Sequence, residues 1–173
     1  MSHMRRLLED SCQRAIRYLE ELDKRKVSPV PEAVLQLAKL NSDFPDEPKG
    51  AEEVLAELDE YVSPATMAMA GPRFFGFVIG GSLPAALGAN WLAGAWDQNS
   101  AYYDVTPGTA WLEELALRWL IKIFKLPPKS GGAFVTGATL ANFSALAAAR
   151  HVVLARAGWN VESDGLIGAP EIK

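Results

Sequence analysis

The sequence predicts an α/β chain, mostly a helical amino-terminal arm plus the first strand-helix unit of a larger domain. Three observations predict it. Apolar residues recur at three- and four-residue steps through the first sixty positions, two short β-branched or aromatic runs follow, and each run ends at glycine ahead of a helix signal.

Met1-Ser2-His3-Met4 reads as a cloning remnant ahead of the native start. From Arg5 to about Arg25, Leu8, Cys12, Ala15, Leu19 and Leu22 form one apolar face, with Glu9, Arg17, Glu20 and Asp23 between them. Val27-Ser28-Pro29-Val30-Pro31 ends that helix. A short helix is expected over Pro31 to Leu40, a proline-punctuated loop over Asn41 to Pro48, and an amphipathic helix marked by Ala51, Val54, Leu55 and Leu58. Residues 5–62 are thus a helical arm with nothing catalytic in it, and residues 63–173 open the larger domain.

Phe74-Phe75-Gly76-Phe77-Val78-Ile79 predicts a short strand, although three aromatics there also suit a core. Gly80-Gly81 stops it, and Ser82 can cap a helix from Pro84 to about Trp96. Asp97 to Val105 reads as a polar, aromatic loop. Thr106 offers a capping hydroxyl and Pro107 suits the first helical position, with Leu112, Leu115, Ala116, Trp119, Leu120 and Ile123 as the buried stripe. Pro127-Pro128 breaks this helix. Gly132 to Thr136 predicts a buried strand and Thr139 to Ala157 an alanine-rich helix with Gly158 as terminator. Asn160, Asp164-Gly165 and Gly168-Ala169-Pro170 are turn signals, and Glu171-Ile172-Lys173 starts a further strand.

The composition excludes several classes. With 173 residues, 49% hydrophobic and 22% charged, the chain is globular rather than disordered. A net charge of -4, with no basic run longer than Lys24-Arg25-Lys26, argues against nucleic acid. The single Cys12 forms no internal disulfide and suits a reducing, cytoplasmic compartment. Outside the remnant His151 is the one histidine, so a Cys/His zinc site is not expected. No run of about 18 apolar residues suggests a membrane span.

The strongest chemical feature is the predicted strand, then Thr136-Gly137-Ala138-Thr139, then helix. A helix start offers unpaired amides and positive dipole, Gly137 admits a close anion, and Thr139 adds a hydroxyl. Taken alone, the turn reads first as an ordinary cap at Thr139. The spacing is neither a dinucleotide fingerprint nor a Walker loop. Gly80-Gly81-Ser82 could receive a carboxylate or be a plain turn, and Gln98, Asn99, Tyr102, Tyr103 and Asp104 form either a binding loop or a solvated connection. Arg73 is the one cation kept as a carboxylate partner, and His151 reads as an ordinary helix residue.

Pro72-Arg73-Phe74-Phe75-Gly76-Phe77, Gly80-Gly81-Ser82, Thr106-Pro107 with Glu113-Glu114, and the run from Gly131 through Gly137-Ala138-Thr139 and Asn142 to Arg150 together resemble one family. It is the pyridoxal-phosphate-dependent decarboxylases of the glutamate and aromatic-L-amino-acid group, of fold type I. The resemblance covers residue 5 to the last. It implies pyridoxal 5'-phosphate as cofactor, with backbone N–H groups of Gly137 and Ala138 and the Thr139 hydroxyl on its phosphate and Asn142 bracing the helix start. It implies a substrate cleft lined by Phe77, Gly80, Gly81, Ser82, Asn99, Ala101 and Tyr102, often across a dimer interface.

The ring-stacking His, the pyridine-pairing Asp and the cofactor-linking Lys of such enzymes match no position here, so no catalytic residue is assigned and this chain alone is expected to be inactive. The expected partners are an amino acid substrate, the remainder of the same enzyme and a second subunit. The alternatives are an aminotransferase or carbon-sulfur lyase of the same fold, or a helical interaction module without chemistry.

Overall fold

The computed structural model describes residues 2–40, 44–100 and 102–172. Its helices are α1 (His3–Glu20), α2 (Pro31–Gln36), α3 (Ala51–Glu57), α4 (Pro84–Trp96), α5 (Pro107–Ile123), α6 (Ala138–Arg156) and α7 (Val161–Asp164). The strands expected at residues 74–79 and 132–136 are missing among the described residues, where every regular element is helical. A strand needs a neighbour to take its amides and carbonyls, and none of these residues offers one. The chain divides into two compact units, residues 1–96 and 97–173.

In the first unit Ser2 caps α1, accepting from the Arg5 amide at 3.3 Å, so His3 and Met4 belong to the helix. The helix stops at Glu20, short of the expected Arg25. Arg25 instead donates to the Ser63 carbonyl at 2.6 Å, and its guanidinium lies 4.6 Å from the centre of the Tyr18 ring. The packed face is rotated from the apolar one: Leu8 and Leu19 stay exposed, while Ser11, Arg14 and Tyr18 are half-buried and Leu22 is buried. Polar pairing causes the rotation. The Tyr18 hydroxyl pairs with the Thr66 hydroxyl at 3.0 Å, and Arg14 and Arg17 both donate to Asp59.

Asp59 sits in a π turn, Leu58–Val62, that continues α3 before a short tight turn at Ser63–Ala65. The Asp10 hydrogen bond, aided by the charges of Asp10 and Asp59, raises the pKa of Arg14 above its ordinary value. Asp59→Asn should cost about 1 kcal/mol. Faster amide exchange in α1 and α3 checks it, and unchanged exchange would mean that apolar contacts alone hold the pair.

Residues 74–79 form a turn rather than a strand. The Ile79 amide donates to the Gly76 carbonyl at 3.2 Å, and Phe77 and Val78 have φ of 56° and 58°, the left-handed pattern of a hairpin-type turn. Phe74 enters the core, whereas Phe75 and Phe77 are exposed. Arg73 donates to the carbonyls of Asp23 (2.8 Å) and Arg25 (2.5 Å), so it ties this segment to the residues after α1, and among the described residues it pairs with no carboxylate. Helix α4 has the expected bounds, and only Leu87 along it is half-buried.

In the second unit the expected stripe of α5 is uncovered: Leu112, Trp119 and Ile123 are exposed, and Leu115, Ala116 and Leu120 are half-buried. Thr106 sits before α5 without capping it. Its buried hydroxyl donates instead toward the Asn99 carbonyl (2.6 Å) and the Tyr102 carbonyl (3.1 Å), which pulls the preceding loop onto the helix start. Gly132 lies against α5, since a Cβ there would fall 2.7 Å from Leu117 Cδ1.

Helix α6 ends as the sequence implies. The Trp159 amide reaches the Leu154 carbonyl at 2.9 Å, the Gly158 amide reaches Ala155 at 3.0 Å, and Gly158 has φ of 78°. Gly158→Ala should cost about 1 kcal/mol through backbone strain. No protein atom lies within 4 Å of the new Cβ, so thermal unfolding would read strain without a clash. The turn signal at Asn160 proves to be the cap of α7, its side chain accepting from the Glu162 amide at 3.1 Å. The Trp159 indole donates to the Gly165 carbonyl at 2.9 Å and draws the following residues over itself.

By length and composition alone, α6 is long and apolar enough to cross a membrane, with mean hydropathy 1.2 over its best window, although Asn142, Ser144, Arg150 and His151 interrupt any unbroken apolar run. Alanine accounts for it, by raising mean hydropathy without large side chains. The chain exposes 14119 Å² of total surface, whereas a compact protein of this mass would expose about 8000 Å² and two separate compact halves about 10000 Å².

Candidate functional site

The candidate site is the start of α6. Gly137 is its N-cap residue with φ 174° and ψ 172°, and no side chain caps the helix. Thr139 is therefore the second helical residue, which overturns its reading as the cap. The first intrahelical bond runs from the Ala141 amide to the Gly137 carbonyl at 3.1 Å. The amides of residues 138–140 precede it and point out of the helix end by construction.

These amides open onto a hollow of about 520 Å³ lined by Thr136, Gly137, Ala138, Thr139, Leu140 and Phe143. Nothing lies within 4 Å of where a Cβ on Gly137 would stand. The glycine is not needed for its extended backbone angles; its use here is the space left before the amides. Unpaired amides, helix dipole, a hydroxyl at Thr139 and open room together suit a phosphate dianion. Asn142, one turn further along α6, is exposed.

The expected cleft residues divide between the two units. Phe77, Gly80, Gly81 and Ser82 lie in the first, all exposed, with open space around both glycines. Asn99 and Tyr102 lie in the second, where Thr106 fixes their carbonyls and the Tyr102 side chain stays exposed. Ala101 falls outside the described residues, as does Lys173 of the last predicted strand. The bolting of this loop by Thr106 escaped sequence reasoning, because the Thr-Pro pair that marks a cap looks the same in both roles. His151 is half-exposed with Nδ1 3.2 Å from a Glu162 carboxylate oxygen, an ordinary surface pairing. Among the described residues no three His, Cys, Asp or Glu side chains gather.

Comparison with known proteins gives this geometry a setting. Aromatic-L-amino-acid decarboxylase of Cavia porcellus is 29% identical over 164 residues, covering 90% of this chain and 34% of that protein. The Bacillus atrophaeus enzyme of the same name is 25% identical over 151 residues, covering 87% and 32%. The chain thus spans about a third of the length of the curated relatives it matches. Among solved structures, mouse CSAD superposes with TM-score 0.81 at 22% identity, over 96% of this chain and 35% of that one. Oryza sativa TDC with PLP superposes with TM-score 0.76 at 25% identity, over 95% and 36%. The chain therefore shares the fold of that part of these fold type I decarboxylases. Residues 31–162 match the pyridoxal-dependent decarboxylase conserved domain, and with most of its length inside that domain the chain belongs to the pyridoxal-dependent decarboxylase family, whose cofactor is pyridoxal phosphate.

Proposed function

We propose that the chain is the amino-terminal portion of a pyridoxal-phosphate-dependent amino acid decarboxylase and supplies the cofactor's phosphate cup and one wall of the substrate cleft. The observation that carries the reading is the uncapped start of α6: three unpaired amides and the Thr139 hydroxyl face an open hollow in a chain of this family. Gly137 and Ala138 hold the phosphate through backbone N–H groups, Thr139 donates its hydroxyl, and Asn142 braces the first turns. The cofactor, when bound, supplies the electron sink that lets an amino acid lose carbon dioxide.

Phe77, Gly80, Gly81, Ser82, Asn99, Ala101 and Tyr102 are its cleft residues, with the Thr106 hydroxyl holding the carbonyls of Asn99 and Tyr102. Residues 5–62 serve as the arm and residues 63–173 as the opening of the large domain. The segment Gly132 to Thr136 becomes a strand once neighbouring strands are present, and the groups that link, stack on and pair with the cofactor come from the rest of the enzyme. On this reading the chain alone turns over no substrate. The assembly is a cytoplasmic homodimer that engages neither nucleic acid nor membrane, and α6 is a domain helix.

The names of the relatives make aromatic L-amino acids the first substrates to assay. Full-length protein should release amine and carbon dioxide; release of keto acid or cleavage of a carbon-sulfur bond would replace the reading with the aminotransferase or lyase alternative. Thr139→Val in the same protein should weaken cofactor retention about tenfold, the loss of one hydrogen bond to a charged acceptor. Retention equal to the parent would remove Thr139 from the cup.

A further inference from the structure

Among the described residues Thr106 is the one buried polar side chain, at 5% exposure, and it joins a loop to a helix. A threonine just before a helix ordinarily turns its hydroxyl forward onto the free amides of the first turn. Here it turns back. The hydroxyl donates at 2.6 Å to the Asn99 carbonyl, seven residues earlier, with the Tyr102 carbonyl further off at 3.1 Å. The Tyr102 carbonyl already accepts from the amides of Val105 (3.2 Å) and Thr106 (2.9 Å), so the tie to Asn99 is the hydroxyl's own contribution. On its other side Thr106 is held by α5, because its carbonyl accepts from the Ala110 amide at 3.2 Å and from the Thr109 hydroxyl at 3.1 Å. The residue thus passes the position of a 17-residue helix to the loop ahead of it. Around this bolt the large side chains stay open: Tyr102, Tyr103 and Val105 are all exposed.

A loop pinned through a buried hydroxyl, with its large side chains left open, is built to present them, since groups fixed before a ligand arrives need no ordering when it binds. We propose that Thr106 is a positioning residue for the amino acid substrate: its hydroxyl holds the loop that carries Asn99 and Tyr102 in the binding arrangement, and so sets substrate affinity without touching the hold on the cofactor. The inference rests on the reading that places Asn99 and Tyr102 in the substrate cleft. It assigns to Thr106 a role separate from that of Thr139, which lies at the start of a different helix.

The test uses the full-length protein with pyridoxal phosphate, offered the common L-amino acids in turn, with carbon dioxide release measured and KM and kcat taken on the best of them. Thr106→Val keeps the branched shape and removes the hydroxyl. Its KM should rise about fivefold, the loss of one hydrogen bond, while kcat and pyridoxal phosphate affinity stay within about twofold of the parent. Amide exchange should quicken in the loop before α5 and not along α5. Thr106→Ser restores the hydroxyl and should return KM to within about twofold of the parent. Should Thr106→Val fail to fold, Thr106→Ala set against Thr106→Ser makes the same comparison. A parental KM without the hydroxyl, even with a lowered thermal midpoint, would overturn the proposal by making Thr106 a bolt of the fold alone. A KM for Thr106→Ser raised as far as that of Thr106→Val, or parental exchange in the loop, would also overturn it. In each of these cases the parent still releases carbon dioxide, so the decarboxylase reading survives; a parent that releases none from any amino acid removes the proposal together with the reading it rests on.

Discussion

In the full-length protein, Gly137→Val should weaken pyridoxal phosphate binding about a hundredfold, because a branched side chain would stand between the phosphate and amides that each contribute about 1–2 kcal/mol. The backbone tolerates it: φ is 174°, an angle open to any residue, and no protein atom lies within 4 Å of the new Cβ. Helix content by circular dichroism should therefore match the parent while the binding isotherm shifts. Gly137→Ala should give a smaller loss in the same direction. A parental binding constant for both variants would show that the cofactor phosphate is held elsewhere, whereas lost helix signal would show that the glycine serves the fold.

Leu154→Ala should destabilise the second unit by about 2–5 kcal/mol, the cost of a cavity under a fully covered leucine. Leu154 carries the end of α6, where its carbonyl accepts the Trp159 amide, so amide exchange should rise first across α7 and the residues after it. Leu146→Ala makes the informative contrast. Leu146 is 71% exposed, and in this chain its truncation should cost less than about 0.5 kcal/mol. In a complete enzyme that covers α6 the two substitutions should converge. Parity in the 173-residue chain, or continued disparity in the full-length protein, would contradict the coverage argued here.

What could be read from residues alone was what depends on local chemistry. Helix α4 has its expected limits because a proline start is a local signal, and Gly158 ends α6 because its left-handed angle follows from lacking a Cβ. The helix start at residues 137–139 was legible, although assigning the cap to Thr139 missed by two residues. Strands were not legible in the same way, since a β-branched run becomes a strand only beside another one, and residues 74–79 instead close on themselves through Phe77 and Val78. Periodicity on α1 placed Cys12, Ala15 and Leu22 on the covered side but put Leu8 and Leu19 there too, and these are exposed. Two arginines meeting Asp59 and a tyrosine meeting Thr66 turned that helix, and such pairings join residues more than forty positions apart.

The large exposed surface has a calorimetric consequence. A chain of this mass exposes about 27000 Å² when unfolded, so melting from 14119 Å² uncovers about two-thirds of what a compact globule would. The heat-capacity increment and the denaturant m-value of the 173-residue chain should be reduced in the same proportion. On the proposed reading, both should lie nearer ordinary values per residue in the full-length protein.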